Sequence, residues 1–356
     1  MKKMTWFWKV NIDPWSSNEA EEWIPFADII SGQIEQAYQG QQSEVMISEN
    51  YKIDLNRLLQ VDIHDFDKQR PIRRCSKTGD IVAFYRRQRF NFAQPIRRSM
   101  TDDTLDYGCN FITDWLILFT KGTLKFKTSS LIAALISGIL VEGEKQNHLV
   151  AAQSLIEEIQ SIKKKTIGKL QRCCARLYTK PCFLFRSVNR TLRDDDRSKL
   201  DTLGPFCYLV FNYINIRHNE YLSIRNQLKR FMKRTDNTSE ITVYRGETLS
   251  HDDIEMYRKA AGKGDFYKWL SFVSTSRSRD VAEKFGTNVL HIITIRRFSS
   301  NDQYTDLQSI AYCKDEEEIL LRPGVRFKVD DAYDDPNSER CIFHIQIEPS
   351  FISNLM

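Results

Sequence analysis

Three short stretches between Val243 and Gly324 carry residue types that could act together on a phosphate- and sugar-bearing ligand. In VYRG (243–246) an arginine ends an apolar run and is followed by glycine. The planar guanidinium of Arg245 can fork onto a pyrophosphate, and Gly246 would let a ligand approach bare backbone. Read alone, VYRG fits a salt-bridged surface arginine flanking a strand better than a ligand-binding one. In SFVSTS (271–276), apolar Phe272 and Val273 precede three small hydroxyl residues, and RDVAEKF follows as a helix. Ser276 or Ser278 would cap that helix. Ser274 and Thr275 fall at the strand end, where a hydroxyl could hold a ribose or lock the arginine. In DEEEILLRPG (315–324) an acidic run leads straight into ILL. A strand through the acids would point Glu316 and Glu318 to one face and Glu317 to the other. Two carboxylates on one face are costly unless they share work or line a cleft, the other reading being a solvated acidic loop.

The elements that would position these residues change character along the chain. From Ile241, ITVYRG, KWLSFVSTS, NVLHIITI, DLQSIAY, EEEILL, VRFKVDDAY and CIFHIQIE read as strands, rich in β-branched and aromatic residues and broken by Gly, Asp, Asn and Ser. From Ser129 to about Lys233 the pattern is helical. SLIAALISGILVEG, HLVAAQSLIEEIQSI and GPFCYLVFNYINIRHNEYLSIRNQLKRFM place apolar residues three and four apart, and Gly143 supplies the first stop. A helical lobe followed by a strand-rich lobe predicts an α+β domain with its cleft at their junction.

The 356 residues, 41% of them hydrophobic, suffice for about two cores. Mean hydropathy is negative, and the longest apolar stretch, Leu131 to Val141, is about half of what a spanning helix needs. The start, MKKMTWFWKVNID, reaches Asp13 before any long apolar core, which reads as mature protein rather than a signal peptide. Eight cysteines include no CxxC pair or Cys/His cluster, so no metal is expected; without a signal, reduced thiols and an intracellular location, cytoplasmic or nuclear, are expected. A net charge of +5 permits an anionic partner; no membrane and no specific nucleic-acid partner is expected. The basic clusters FYRRQRF and PIRRSM, between 76 and 125, suit a nucleic-acid-contacting linker or a solvated surface.

Residues 1 to about 75 are dense in aromatics and end in KQRPIRRC. SEVMIS (43–48) and NYKIDL (50–55) alternate as strands do, and SGQIEQAYQ (31–39) has helical spacing, which makes a small α+β unit.

An arginine on a first strand, STS on a second and ExE leading into a third resemble the Arg–Ser–Glu class of ADP-ribosyltransferases, which includes clostridial binary toxins and vertebrate arginine-modifying ectoenzymes. The gaps from 245 to 274 and from 274 to 318 fit the pattern of that class. RCCARLYTKPCFLFRSVNRTLR (172–193) is similar to the segment that precedes its catalytic core. The resemblance covers about residues 130 to 350 and implies a helical lobe followed by a two-sheet β core, with NAD as co-substrate. It implies that Arg245 binds the NAD phosphates, that Gly246 holds the nicotinamide amide through its backbone, and that Ser274, with Thr275 beside it, contacts the nicotinamide ribose and orients the catalytic glutamate. Glu318 would bond the ribose 2′-hydroxyl and stabilise the cation formed as nicotinamide leaves; Glu316 would activate the nucleophile, and in this family ExE goes with arginine acceptors. Tyr312 lies where the family often places an aromatic for target recognition, plain packing being the other reading.

The N-terminal pattern resembles a WWE domain: WFW (Trp6, Trp8), EEWIPF (Trp23), IEQAY, NYKIDL, LLQ and QRPIRR, over about residues 1 to 75. Such domains read ADP-ribose within poly-ADP-ribose, or act only as protein-interaction modules. The resemblance implies a ligand site at Trp8, Tyr51, Gln60 and Arg70, with Trp6 and Trp23 in the core. DPWSSNEAE is an insertion between the tryptophans that could reshape the rim.

The chain is therefore expected to be α+β, with a WWE domain at 1–78, a linker at 79–125 and an ADP-ribosyltransferase catalytic domain at 126–352. The expected activity is transfer of ADP-ribose from NAD to exposed arginines of a protein substrate, the WWE domain binding poly-ADP-ribose, an ADP-ribosylated protein or another protein partner. The alternatives are an NAD glycohydrolase and an inactive ADP-ribose reader.

Overall fold

The computed structural model describes residues 4–11, 13–15, 21–75, 84–85, 97–98, 109–220, 240–296 and 303–348, with main chain alone at 97–98, 215–220 and 296. Residues 1–3, most of both basic clusters, the middle of the 13–21 insertion and residues 221–239, which include the end of the third expected helical run, lie outside them. By contacts the chain divides into one unit of residues 1–85 with 140–156, and a second of 86–139 with 157–356.

In the first unit, strands β1 (Thr5–Lys9), β2 (Trp23–Pro25), β3 (Glu44–Met46), β4 (Tyr51–Asp54), β5 (Leu59–Asp62) and β6 (Gln69–Cys75) surround helix α1 (Asp28–Gln39) in sequence. They form an antiparallel sheet in the order β2-β1-β6-β5-β4-β3. Helix α1 buries Ser31, Ile34 and Ala37, one face at spacing three. Ile34 and Ala37 pack with Trp6, Phe26, Ile53, Leu55 and Ile72. Trp6 is fully buried, as expected. Trp23 is not in this core: it is half-buried, Arg73 lies 4.5 Å over its ring, and its Nε1 donates to Glu21. Among the described residues the short strand β2 pairs only with β1, so its tryptophan packs at the sheet edge.

Helix and sheet are locked by Glu35. Its carboxylate accepts from Trp6 Nε1 (3.0 Å), Gln39 Nε2 (2.7 Å) and both arms of Arg74 (2.8 and 2.5 Å). The Arg74 hydrogen bond, aided by those of Gln39 and Trp6, outweighs desolvation and holds the carboxyl down to about 2.

In the second unit, α2 (Asn110–Phe119) occupies part of the expected linker, preceded by a two-residue strand, β7 (Arg97–Arg98). Trp115 of α2 is buried, with its ring 4.9 Å from Phe119 and 5.2 Å from Tyr208. The helices that follow are α3 (Thr128–Lys145), α4 (Leu149–Gln160), α5 (Ile167–Tyr178), α6 (Phe183–Asp194) and α7 (Leu200–Glu220). Residues 140–156 of α3 and α4 group with the first unit. Gly138 and Gly204 sit where a Cβ would run into the Thr202 backbone and the Trp115 ring respectively.

The strand-rich part contains β8 (Glu240–Glu247), α8 (His251–Ala260), β9 (Tyr267–Trp269), β10 (Val273–Ser276), α9 (Arg279–Glu283), β11 (Val289–Arg296), β12 (Tyr304–Asp306), β13 (Glu318–Leu321), β14 (Val325–Asp334) and β15 (Cys341–Glu348). The strand order is β12-β13-β10-β8-β11-β15-β14-β9-β7. β10 and β8 share one ladder pair, Ser276 with Tyr244. The nine strands form one hydrogen-bonded series with its thinnest join between β10 and β8, and they line an apolar core. Alternate residues Val325, Phe327, Val329 and Phe343, Ile345, Ile347 fill that core with Val243, Trp269, Ile293 and Ile319.

DLQSIAY is not a strand. After Asp306 the chain turns, with Ile310 N and Ala311 N both donating to Leu307 O. Leu307, Ile310 and Ala311 are buried at spacings of three and four, which alternation does not describe.

Because the Glu35 carboxyl is held below its unfolded value, its contribution to stability is fully present above about pH 4.5 and is lost as pH falls toward 2. Acid titration of the thermal midpoint of the N-terminal unit should show Glu35→Gln less stable than wild type at neutral pH, with the gap closing below about pH 4.5.

Candidate active site

The strands carrying the three motifs are neighbours, in the order β13-β10-β8. Arg245 is fully buried. One arm of its guanidinium donates to the Ser274 carbonyl (2.8 Å) and the other to Glu247 Oε1 (2.5 Å). Sequence reading missed Glu247, two residues along the same strand, and also His291, whose Nε2 lies 3.0 Å from Glu247 Oε2. Strand alternation puts Glu247 on the face of Arg245, and His291 is the ladder partner of Arg245. Burial would push the Glu247 carboxyl up; the Arg245 charge and the His291 hydrogen bond outweigh it and leave it below the usual carboxylate range.

Gly246 makes a close contact that the sequence did not suggest. A Cβ there would collide with the Ala282 carbonyl of α9, and one on Gly286 would collide with the Glu247 backbone. The approach to bare backbone on that side is made by the protein itself.

Ser274 is buried, with its carbonyl on Arg245 and its Oγ without a hydrogen-bond partner among the described residues. Thr275 points to the opposite face, and its hydroxyl donates to the Ile319 carbonyl (2.8 Å), tying β10 to β13. Ser278 is the helix cap, accepting from Val281 N, while Ser276 belongs to the strand. Ser276 Oγ donates to the Glu316 carbonyl (2.7 Å) and accepts from Ser278 N (3.0 Å).

Glu316 and Glu318 are both fully buried and Glu317 is partly exposed, but not through strand alternation. Lys314–Glu316 is a 3-10 turn, Glu317 is left-handed (φ 47°), and the strand begins only at Glu318, opposite Ser276. The turn folds Glu316 inward, and the left-handed residue passes the chain into β13. Before it, the exposed Tyr312 is held by its N–H on Thr179 Oγ1 (2.9 Å), with Arg176 5.1 Å and Lys180 5.6 Å over its ring. Thr179 ends the LYT run of α5, and the Asn189 amide donates to Tyr178 OH (2.9 Å). That segment therefore supports the loop carrying the glutamates. Burial pushes the Cys109 and Cys173 thiols up to about 11.

In the first unit the four candidates share one face at one end of the sheet. Gln60 is paired with Arg70, and Tyr51 with Asp62. Arg70 lies 5.7 Å over the Trp8 ring, and Tyr51 is exposed. The Gln60 Oε1 atom is buried with no hydrogen-bond partner among the described residues. One arm of Arg70 donates to the carbonyls of Lys9 (3.2 Å) and Asn11 (2.7 Å), at the base of the insertion.

Residues 4–74 match the WWE domain family, and residues 211–347 match the ADP-ribosyltransferase exoenzyme family. The chain joins a WWE domain to an ADP-ribosyltransferase domain. The second makes it a transferase that acts on NAD. No curated protein matches the chain in sequence. Similar solved structures include the ADP-ribosyltransferase HopU1 of Pseudomonas syringae, 16% identical over 76% of this chain and 98% of that one, with a TM-score of 0.38. The type III effector XopAI of Xanthomonas axonopodis is 14% identical over 69% and 94%, with a TM-score of 0.44. The Clostridium limosum C3 exoenzyme is 14% identical over 60% and 94%, with a TM-score of 0.34.

Ser276→Ala would leave the Glu316 carbonyl and the Ser278 N–H without this partner. It should cost about 1–3 kcal/mol of transferase-domain stability, read from its thermal midpoint.

Proposed function

We propose that the chain transfers single ADP-ribose units from NAD to arginine side chains of target proteins, using Arg245, Gly246, Ser274, Thr275, Glu316 and Glu318. The observation that carries this reading is the pair of buried carboxylates, Glu316 and Glu318, brought beside the Arg245–Ser274 contact by Ser276. Arg245, with its backbone neighbour Gly246, would seat the NAD diphosphate and nicotinamide end; Thr275 would keep the ribose-facing strand in place. The bond between nicotinamide and C1′ of its ribose breaks, nicotinamide leaves neutral, and positive charge develops on the ribose. Glu318 would stabilise that charge while bonding the 2′-hydroxyl, and the Ser274 hydroxyl would orient Glu318. A guanidine nitrogen of the target then bonds to C1′, and Glu316 accepts its proton.

The WWE domain would carry the enzyme to ADP-ribose on other proteins. Trp8 and Tyr51 offer ring surfaces for adenine, Arg70 a guanidinium for the diphosphate, and Gln60 a buried amide oxygen that needs a donor. The carbonyls already bound to Arg70 favour the second reading, a protein-docking module.

With labelled NAD and acceptor proteins, wild type should place hydroxylamine-sensitive label on protein, and Glu318→Gln should lower NAD turnover at least about 10²-fold. Glu316→Gln should cut arginine transfer about 10²-fold and spare glycohydrolysis. Equal loss of both would refute the role given to Glu316. Free ADP-ribose without protein label would make the chain a glycohydrolase, and no turnover would leave an ADP-ribose reader.

A further inference from the structure

Arg245, Glu247 and His291 form a charged chain in the sheet, each at most 1% exposed. Removing an arginine and a glutamate from water is expensive, and well-packed apolar residues of similar volume usually serve stability as well or better. The cost is explicable if the chain fixes something that apolar packing cannot fix, the orientation of a guanidinium.

The geometry fits that purpose. His291 Nε2, 3.0 Å from Glu247 Oε2, sets the plane of the carboxylate. Its other oxygen, Oε1, then meets one arm of Arg245 at 2.5 Å, and the second arm lies on the Ser274 carbonyl at 2.8 Å. The His291 ring cannot turn away freely. Tyr257, Phe343 and Trp269 surround it, with ring centroids at 5.1, 5.5 and 6.2 Å, and the Trp269 indole N–H donates to Tyr257 OH (2.9 Å). An aromatic box thus holds a histidine, the histidine a carboxylate, and the carboxylate an arginine.

We propose that Glu247 and His291 are positioning residues that act on NAD through Arg245; this rests on the reading of the site as NAD-binding. Neither need touch the substrate. Losing the donor at 291 lets the Glu247 carboxylate rotate, and Arg245 then loses its fixed orientation while its charge remains.

Two variants separate this from a purely structural role. His291→Phe keeps an aromatic ring in the box and removes the donor, whereas His291→Gln restores an amide donor. In the full-length protein, His291→Phe should raise KM for NAD about tenfold, with kcat changed by less than about threefold, and His291→Gln should recover most of that loss. By NMR, the Arg245 guanidinium N–H signals should be slowly exchanging in wild type and His291→Gln and lost in His291→Phe. A His291→Phe protein with wild-type KM and intact Arg245 signals would overturn the proposal. So would two variants equally impaired and equally lowered in thermal midpoint. If wild type consumes no NAD, the reading of the site fails, and the Arg245 signals still show whether His291 holds it.

Discussion

The join between β8 and β10 in the transferase-domain sheet is made by a side chain as well as by a ladder. β8 and β10 share a single residue pair, Ser276 with Tyr244. Arg245 spans the joint, reaching from β8 to the Ser274 carbonyl on β10 while Glu247 holds its other arm. A hydrogen bond from a charged donor, inside a sheet and away from water, is stronger than a neutral one and strict in direction. The relative placement of the arginine strand and the serine strand therefore depends on it.

From that joint the remaining geometry follows strand by strand. β10 passes the constraint to β13 through its ladder and through Thr275 and Ser276, the latter reaching the turn that carries Glu316. Gly246 and Gly286 allow α9 and the loop after it to lie against β8 without an intervening side chain. Thr179, on the helical side, holds the loop at Tyr312. The two glutamates are thus braced from the β side and the helical side. Such bracing is what a site needs if it is to meet developing charge without rearranging.

Much of this was legible in the sequence, because strand alternation and residue type carry it. The helical-then-strand order and the α1 face could be read that way, and the burial of Trp6 followed from the resemblance to a WWE domain. What escaped depends on contacts between segments distant in sequence. Glu247 and His291 are 44 residues apart and are brought together by the pairing of β8 with β11. Glu316 and Glu318 come together through a left-handed Glu317, a conformation their types do not announce. The turn at Leu307–Ala311 buries residues at helical spacing inside a strand-rich region, and Trp23 lies at a sheet edge its aromatic type does not reveal.

The central claim is that Ser274 and Glu318 face the nicotinamide ribose of NAD. A crystal structure of the chain with a non-hydrolysable NAD analogue tests it most directly. The account predicts the Glu318 carboxylate within hydrogen-bond distance of the ribose 2′-hydroxyl, with the Ser274 hydroxyl beside it. An analogue bound elsewhere, or a site at the β13-β10-β8 strands that stays empty at saturating concentration, would contradict it.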